Sequence, residues 1–496
     1  MQFSTPMVWN ASAEVAAAAN YPSIRVMSIG QLTTSATPLT DLAAVNLSWS
    51  RASEVGVIGG PGNWTTFSAV CWLFGRDLFD AFAGTVPVGL VSNNWGGTNI
   101  QTWSSPDALS QCTPIPPPND PSPALRNSSL WNANVAPFTT GPTAFAGALW
   151  YQGESNAPPF PAYRRGYYAC AIRAMISDWR LKLDAGDRMW FGVVQLAPFL
   201  SSASYGYAEV RSEQCAALAL PNVTISTAMD WGDALSPWGT YHPRFKQPVA
   251  TRLAAAALAV RYHHPGGPAW IQPIVSGVRK LNSSSGTLSA LVTFDSTTVQ
   301  GGPLVIASNR NPCPTSDGVP ACLCAEFTIV VAAPVGSPPL PTIFTRLNGT
   351  QLIDGTILDT GSFTFSAAEA RCNEINECVG FQVLNGGAPG PGDNTTVSMY
   401  EFRSLAQLHN NTNATSWATF TPSGTRALPA VAIVGPDGVS LTVTTDCGYL
   451  CVTGKAELRA VTYAWSSWPV ATLYAGNGSG MPALPFFVNV NSTAVE

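Results

Sequence analysis

Apolar runs of strand length alternate with amphipathic segments of helical length through residues 1–265 of this chain. Apolar residues at helical spacing over 67–79 predict a helix, and the apolar run 86–92 directly after it predicts a strand. The alternation continues with a strand over 145–151, a helix over 163–183, strands over 189–196 and 223–229, and a helix over 247–262. This order predicts an α/β fold in which a parallel sheet carries helices on both faces.

The composition changes near residue 267, after which Val, Thr, Ser, Gly and Pro dominate and helical spacing fades. Strand-sized runs such as 288–294 predict a β-rich second domain. Inside it, the proline- and glycine-rich segment 334–341 is typical of a linker, and the residues after it form a separate unit marked by Cys372 and Cys378. We therefore predict a first domain over 1–266, a β-rich domain formed by 267–333 and 430–490, and a nested cysteine-containing insertion over 334–429.

Charge and hydropathy exclude two classes of partner. Charged residues are only 11% of the chain and the formal net charge is -5. No basic stripe is present to meet phosphates, so nucleic acid is not an expected partner. No apolar run approaches the roughly 18 residues that a membrane-spanning helix needs. Residues 1–6 also lack the basic start and apolar stretch of a signal peptide.

Glycan acceptors and cysteine pairs nevertheless favour the secretory pathway. Close cysteine pairs occur at 322 and 324, 372 and 378, and 447 and 451, without a histidine near enough to complete a zinc site, so we expect disulfides. With 11 cysteines at least one is unpaired, and Cys71 in its predicted helix is the candidate. We expect a secreted or lysosomal protein whose leader is absent from this sequence. The Asn-X-Ser/Thr acceptors are Asn10, Asn46, Asn63, Asn127, Asn222, Asn282, Asn348, Asn394, Asn410, Asn413, Asn477 and Asn491.

A polar cluster, Gln152-Gly153-Glu154-Ser155-Asn156, follows the predicted strand 145–151. In an open α/β sheet, sites are built where strands end, because side chains from neighbouring loops converge there. The segment 153–157 is similar to a G-x-S-x-G nucleophile elbow with the last glycine replaced by alanine. An elbow needs a helix directly after the serine, however, and prolines at 158, 159 and 161 disfavour one. Ser155 is therefore a weak candidate for a nucleophile.

Four histidines are available as a general base. His409 lies in an Asn-rich loop, and His263 and His264 follow a predicted helix, where a cation caps the carboxyl end favourably. His242 instead lies at the junction between the strand 223–229 and the helix that begins near residue 247. A histidine at a strand-to-helix junction, on the same side as the polar cluster, is placed for general base catalysis.

Several blocks of the sequence resemble, in order, those of the sialate O-acetylesterases, a family of the SGNH hydrolase group. The most specific is the run 149–156, Leu-Trp-Tyr-Gln-Gly-Glu-Ser-Asn, which looks like the family's W-Y-Q-G-E-S-N block. The resemblance covers most of 1–335 and 430–490 and implies an SGNH, flavodoxin-like sheet. The other blocks are 68–76, 95–98 with 103–105, 130–133, 236–247 and 463–469.

The resemblance implies an ester hydrolase that removes O-acetyl groups from sialic acids or related sugars without a metal or cofactor. A serine attacks the acetyl ester, a histidine acts as base, and water hydrolyses the acyl-enzyme. His242 carries over as the base. Its orienting acid is first Asp233 and second Asp230, although the position three residues before the histidine is Gly239, where relatives often have an aspartate. Glu154 is the alternative partner of the imidazole.

The resemblance also implies the groups that bind the substrate. The backbone N–H of Gly97, with the side-chain amide of Gln152 or Asn156, would supply oxyanion donors. Arg244 and Lys246 would hold the carboxylate of sialic acid, with a solvated helix start as the alternative interpretation.

The family's nucleophile lies in an earlier G-Q-S-N-M block, and residues 1–3 resemble that block from its methionine onward. We therefore expect the serine before residue 1. The segment 30–32, Gly-Gln-Leu, is not a substitute, because its surroundings match a later stretch of the family. We expect the sequence to come from a shortened gene model, with a natural serine-less form as the alternative. A chain without the serine should retain only residual catalysis.

Two further hypotheses stay open. The nearest enzymatic one is an acetylesterase for another glycan, such as a wall polysaccharide. The other is a catalytically inactive carbohydrate-binding protein, which the missing serine and the nested insertion favour. That insertion faintly resembles PAN or apple-type modules through Cys372, the segment 378–381 and Trp417, and it would contact a glycan or a protein.

Overall fold

A computed structural model gives the fold of the chain. It describes residues 1–54, 56–60, 64–117, 125–157, 164–200, 206–265, 267–281, 287–300, 302–307, 425–446, 457–464, 473–476 and 481–490, together with the strands that lie between 315 and 410. The chain divides into two compact units, one of residues 1–199 and 206–272, the other of 200–205 and 273–496. The domain boundaries predicted from the sequence stay predictions.

The first unit contains two three-stranded sheets. One has the order β2-β1-β3, formed by β1 (Ile24–Ile29), β2 (Val45–Arg51) and β3 (Val88–Ser92). Within it β1 runs parallel to β3 and antiparallel to β2. The other has the order β4-β5-β6, formed by β4 (Gly147–Trp150), β5 (Trp190–Gln195) and β6 (Val223–Thr227), and all its strands are parallel.

Helices flank these sheets, which confirms the predicted α/β class. The helix bounds are α1 (Ala11–Ala17), α2 (Ala69–Ala81), α3 (Ile100–Trp103), α4 (Pro106–Ser110), α5 (Tyr167–Lys182), α6 (Tyr207–Gln214) and α7 (Gln247–Val260). The α2 and α7 helices are joined by a hydrogen bond from the Thr251 hydroxyl to the Asp77 carboxylate, 2.7 Å long. The apolar face of α2 packs in a core cluster with Phe3, Ile24 and Leu90.

Two strands were missed by the sequence pattern. The β1 strand is buried almost throughout and so shows no alternation of polar and apolar residues, and β2 is largely exposed, so its apolar residues do not mark a core face. The run 145–151 suggests a buried strand because all but one of its residues are apolar, yet in β4 only Trp150 is buried, while Gly147, Ala148 and Leu149 are half-buried.

The second unit is β-rich, as predicted. Its main sheet has seven strands in the order β22-β20-β12-β18-β19-β8-β7, and neighbouring strands are antiparallel. Side chains alternate between buried and half-buried along β8, the pattern of a sheet with one face on a core. The strand bounds are β7 (Val275–Lys280), β8 (Thr287–Phe294), β9 (Leu304–Ile306), β10 (Thr315–Ser316), β11 (Val319–Pro320), β12 (Phe327–Ala332), β13 (Thr350–Leu352), β14 (Ile357–Phe363), β15 (Cys378–Val383), β16 (Thr395–Glu401), β17 (Leu408–Asn410), β18 (Thr425–Val434), β19 (Ser440–Asp446), β20 (Glu457–Tyr463), β21 (Leu473–Ala475) and β22 (Phe486–Asn489).

The cysteines partly follow the expectation. Cys71 is buried and carries a free thiol, as predicted, and burial raises its pKa to about 12. A disulfide joins Cys112 to Cys170, a pair that their wide spacing in the sequence did not indicate. The predicted close pairs lie outside the residues whose side chains the structure describes. Among the described helices, none is long and apolar enough to cross a bilayer.

The contact between α2 and β3 generates a test of the fold. A Cβ added at Gly75 would lie 2.4 Å from a methyl of Leu90, which is buried. Gly75→Ala should therefore lower the free energy of unfolding by about 1–3 kcal/mol through overpacking. Urea denaturation measures it, with Gly141→Ala as control because a Cβ there would meet nothing within 4 Å. Equal stability of both variants would contradict the tight packing.

Candidate active site

The loops after β3 and β4 meet through the side chain of Asn156. Its Oδ1 accepts hydrogen bonds from the backbone N–H of Ile100 (2.9 Å) and from Nε2 of Gln152 (2.8 Å). Its Nδ2 donates to Oε1 of Gln101 (2.9 Å), and its side chain is only 1% exposed. The carboxamide thus joins the polar cluster after β4 to the α3 helix.

Gln152 is held from three sides in the same network. Its Nε2 also donates to the Thr98 carbonyl (3.1 Å), while its Oε1 accepts from the Tyr168 hydroxyl (3.0 Å). The backbone carbonyl of Gln152 accepts from Tyr168 and from Nε2 of Gln214, each at 3.0 Å. The amide N–H groups of Gln152 and Asn156 that the sequence suggested as oxyanion donors therefore already donate within the protein.

Gly97 presents its backbone to open space. It is exposed, its φ is +77°, and a Cβ at this position would meet nothing within 4 Å. Residues other than glycine rarely adopt this left-handed conformation. The neighbouring Gly96 N–H donates to Oε1 of Gln2 (2.5 Å), which ties the turn to the start of the chain. The oxyanion role of Gly97 stays a prediction, and the open backbone suits it.

His242 lies in an aromatic environment, with its ring centroid 4.8 Å from that of Trp64, 4.1 Å from Tyr241 and 6.4 Å from Phe3. Its Nδ1 lies 2.7 Å from the carbonyl oxygen of Trp238. A carbonyl oxygen can only accept, so Nδ1 carries the proton when the ring is neutral. The other nitrogen, Nε2, then holds the lone pair that a general base needs.

Burial lowers the pKa of His242 to about 4. The Trp238 carbonyl acts in the opposite direction, whereas the ammonium group of Lys246 lowers the pKa further. A low-dielectric environment disfavours the charged imidazolium, and nearby cations add to that effect. The ring is therefore neutral at pH 7 and able to accept a proton.

The two aspartates considered as partners of His242 each bind an arginine. Both oxygens of Asp233 bind Arg244, with distances of 2.6 Å to Nε and 2.9 Å to Nη2, and Oδ2 also accepts the Arg244 backbone N–H (3.2 Å). Asp230 binds Nη1 and Nη2 of Arg252 at 2.6 and 2.8 Å. Burial alone would raise the pKa of Asp233, but the hydrogen bonds of Arg244 more than offset this and hold it low.

The two cations expected to bind a carboxylate differ in position. The Arg244 guanidinium lies 5.1 Å from the ring centroid of Trp9 and is paired with Asp233. Lys246 is 3% exposed, with Nζ 4.7 Å from the ring of Phe3 and 5.2 Å from that of Tyr151. Burial lowers the pKa of Lys246 to about 8, against the raising effects of Glu154 and Asp233. Both roles stay predictions.

The segment from Glu154 to Asn156 forms a short 3-10 turn, in which Ser155 is half-buried. Glu154 is also half-buried, and its charge acts on Lys246, which places the two side chains in the same region. Lys246 thus interacts electrostatically with both His242 and Glu154, while Asp233 forms an ion pair with Arg244.

Comparisons with known proteins show which family the chain resembles. Residues 41–236 match the family model described as carbohydrate esterase, sialic acid-specific acetylesterase. The chain is 39% identical to the sialate O-acetylesterase of Rattus norvegicus in an alignment of 308 residues that covers 53% of this chain and 55% of that protein. The resemblance to the sialate O-acetylesterase family is confirmed. The human enzyme of the same name is 37% identical over 281 residues, with 53% of this chain and 51% of the relative covered.

The chain spans about half the length of the curated sialate O-acetylesterases it matches. A solved structure, that of a carbohydrate acetylesterase from Xanthomonas citri, is similar with a TM-score of 0.58 and 21% identity. The match covers 98% of this chain and 78% of that one, and it supports the α/β fold with a β-rich region.

Reasoning from the sequence missed two groups that contact His242. The Trp238 carbonyl orients His242, and a backbone group leaves no residue-type signal in a sequence. Trp64 lies against the imidazole although 178 positions separate the two residues, a contact that only the fold creates. The sequence holds 16 tryptophans, so residue type alone did not single out these two.

The environment of His242 predicts how its imidazole titrates. NMR of the ring should give a midpoint near pH 4, below the ordinary value of about 6.5. The unfolded chain then binds the proton first, so the free energy of unfolding falls as pH is lowered from about 6.5 towards 4. Lys246→Met should raise the midpoint and Lys246→Arg should not. A midpoint near 6.5 in the wild-type protein would contradict the buried, cation-flanked environment.

Proposed function

We propose that this protein acts as a sialate O-acetylesterase-like carboxylic ester hydrolase that removes O-acetyl groups from sialic acids or related sugars. The observation that carries the proposal is the neutral His242 ring, held at Nδ1 by the Trp238 carbonyl with Nε2 left as the proton acceptor. The resemblance over residues 41–236 supplies the substrate class. The chemistry requires a serine nucleophile, which we place upstream of residue 1.

The position of Met1 supports this placement of the nucleophile. The nitrogen of Met1 lies 3.3 Å from the carbonyl oxygen of Tyr151, the residue before Gln152. Phe3 already contacts the rings of His242 and Trp64. Residues joined to Met1 would therefore continue within reach of the site, and in the G-Q-S-N-M block the serine stands two residues before the methionine.

In the proposed reaction, Nε2 of His242 removes the proton of the serine hydroxyl as the serine oxygen attacks the acetyl carbonyl. The N–H of Gly97 stabilises the negative charge that develops on the carbonyl oxygen. His242 then returns the proton to the leaving sugar oxygen, and a water molecule activated by the same nitrogen hydrolyses the acyl-enzyme. No step requires a metal or a cofactor.

We propose that Asp233 positions the loop that carries His242. Its carboxylate bridges to the guanidinium and the backbone N–H of Arg244, two residues after His242, and its own carbonyl accepts from the Ser236 N–H (3.2 Å). The Ser236 hydroxyl in turn donates to the His242 carbonyl (2.7 Å). Asp233 therefore fixes both ends of the segment that carries the base.

A secretory location is part of the proposal. The Cys112–Cys170 disulfide is typical of proteins that fold in oxidising compartments. The glycan acceptors whose exposure the structure gives are all exposed, which glycosylation requires. They are Asn10, Asn46, Asn127 and Asn222.

The proposed function predicts activity only when the serine block is present. A chain extended by the upstream Gly-Gln-Ser-Asn segment should release acetate from O-acetylated sialic acid, and residues 1–496 alone should not. In the extended chain His242→Gln should lower kcat by about 10²–10⁴-fold, the usual contribution of a general base. Ser155→Ala should leave most activity.

The controls separate the alternatives. Acetylated xylan is assayed in parallel. A higher kcat/KM on xylan than on O-acetylated sialic acid would indicate a wall-polysaccharide esterase. Loss of turnover in Ser155→Ala with an intact fold would establish Ser155 as the nucleophile. An inactive extended chain that still binds sialosides would support a carbohydrate-binding protein and contradict the proposed enzyme.

Replacement of Asp233 tests which group orients the base. Asp233→Asn breaks the charge pair with Arg244 but leaves the Trp238 carbonyl in place, so we expect a loss of about 10-fold or less in kcat. A carboxylate that orients the imidazole directly would cost about 10⁴-fold when it becomes an amide. Steady-state kinetics of the extended chain, with circular dichroism as a check on folding, distinguishes the two.

A further inference from the structure

Trp64 adopts a conformation that its side chain disfavours. Its φ is +71°, in the left-handed region that glycine occupies readily and bulky residues rarely. Such outliers persist where the surroundings over-determine them, and they concentrate at functional sites.

The backbone of Trp64 is fixed from both sides. Its N–H donates to the Ser4 hydroxyl (3.1 Å), and its carbonyl accepts from Nε2 of Gln2 (3.2 Å) and Nε2 of Gln31 (2.9 Å). A glycine could make the same three hydrogen bonds without the steric conflict of a Cβ. The strain therefore arises from the Trp64 side chain. We infer that the contacts of its indole offset that strain.

The indole contacts both partners of the hydrogen bond that orients the base. Its ring centroid lies 4.8 Å from the His242 imidazole, with the planes inclined at 62°. It lies 6.0 Å from the ring of Trp238, whose carbonyl accepts the Nδ1 proton. Phe3, a member of the core cluster, packs edge-on against Trp64 with ring centroids 5.7 Å apart. Trp64 is therefore wedged between the core and the base.

We propose that Trp64 is a positioning residue that holds the His242 imidazole against the Trp238 carbonyl and so fixes the tautomer in which Nε2 accepts a proton. The group that orients the His242 ring is the neutral Trp238 carbonyl, so no ion pair holds the ring in place. Packing against Trp64 must therefore restrict its orientation. The use of this tautomer in catalysis rests on the proposed function, whereas the tautomer itself is a property of the chain.

The test uses the full chain with ¹⁵N-labelled histidine, and the His242 signals are assigned by their loss in His242→Gln. Wild-type protein at neutral pH should show the Nδ1–H tautomer as the dominant form. Trp64→Gly removes the indole and relieves the backbone, so it should fold, yet the Nδ1–H tautomer should become a minor form as the freed ring favours Nε2–H. Trp64→Phe, which keeps an aromatic ring, should restore most of the wild-type spectrum.

Two further variants test whether the change at His242 is specific to the Trp64 ring. Ala83→Gly relieves another left-handed residue, exposed and in the turn after α2, and should leave the His242 signals unchanged. If Trp64→Gly does not fold, Trp64→Ala decides, because it removes the packing against His242 and should also lose the dominant tautomer. An unchanged Nδ1–H signal in the folded variant that is measured overturns the proposal.

Kinetics of the extended chain complete the test. Trp64→Gly should lower kcat by at least about 10-fold with a smaller change in KM, and Trp64→Phe should recover most of it. If the extended chain is inactive, the proposed function fails while the tautomer result still decides the role of Trp64. If the tautomer is lost but kcat is unchanged, Trp64 does not position the base for the reaction, and the proposal is overturned.

Discussion

The buried carboxamide of Asn156 is the interaction on which the site depends. It links the end of β4 to the first turn of α3 by accepting from the Ile100 N–H and donating to Gln101, and it fixes Gln152 at the same time. At 1% exposure, a lost partner would leave a buried polar group unpaired, which costs about 1–3 kcal/mol. These hydrogen bonds therefore connect the loop after β4 to the loop after β3.

Charge in this region is arranged so that the base stays neutral. The nearest carboxylates of the loop are engaged by arginines, Asp233 by Arg244 and Asp230 by Arg252, so neither stabilises an imidazolium by direct contact. The ammonium of Lys246 lies among aromatic rings and disfavours a second positive charge. A neutral histidine with one nitrogen already committed to a carbonyl is the form that can accept a proton.

A carbonyl and an aromatic ring differ from a carboxylate in what they provide. A carboxylate orients an imidazole and also stabilises its protonated form, whereas the Trp238 carbonyl supplies a dipole and Trp64 supplies shape. Burial lowers the pKa of His242, and the Trp238 carbonyl offsets this only in part. In our proposal, this contact of Trp64 with His242 accounts for a tryptophan at a backbone position that a glycine would adopt without strain.

The sequence by itself determined the α/β class, the β-rich second part, the buried free thiol of Cys71 and the resemblance over the Gln152 cluster, because periodicity and residue type record these directly. It also singled out His242 from its place between a strand and a helix. Only the tertiary structure decided which groups surround that ring. Trp64 and the Trp238 carbonyl reach it through loop folding, and the arginines bind the aspartates that spacing had offered as its partners. Spacing along a chain limits which residues can meet, but competition among hydrogen-bond and charge partners in the folded state selects those that do.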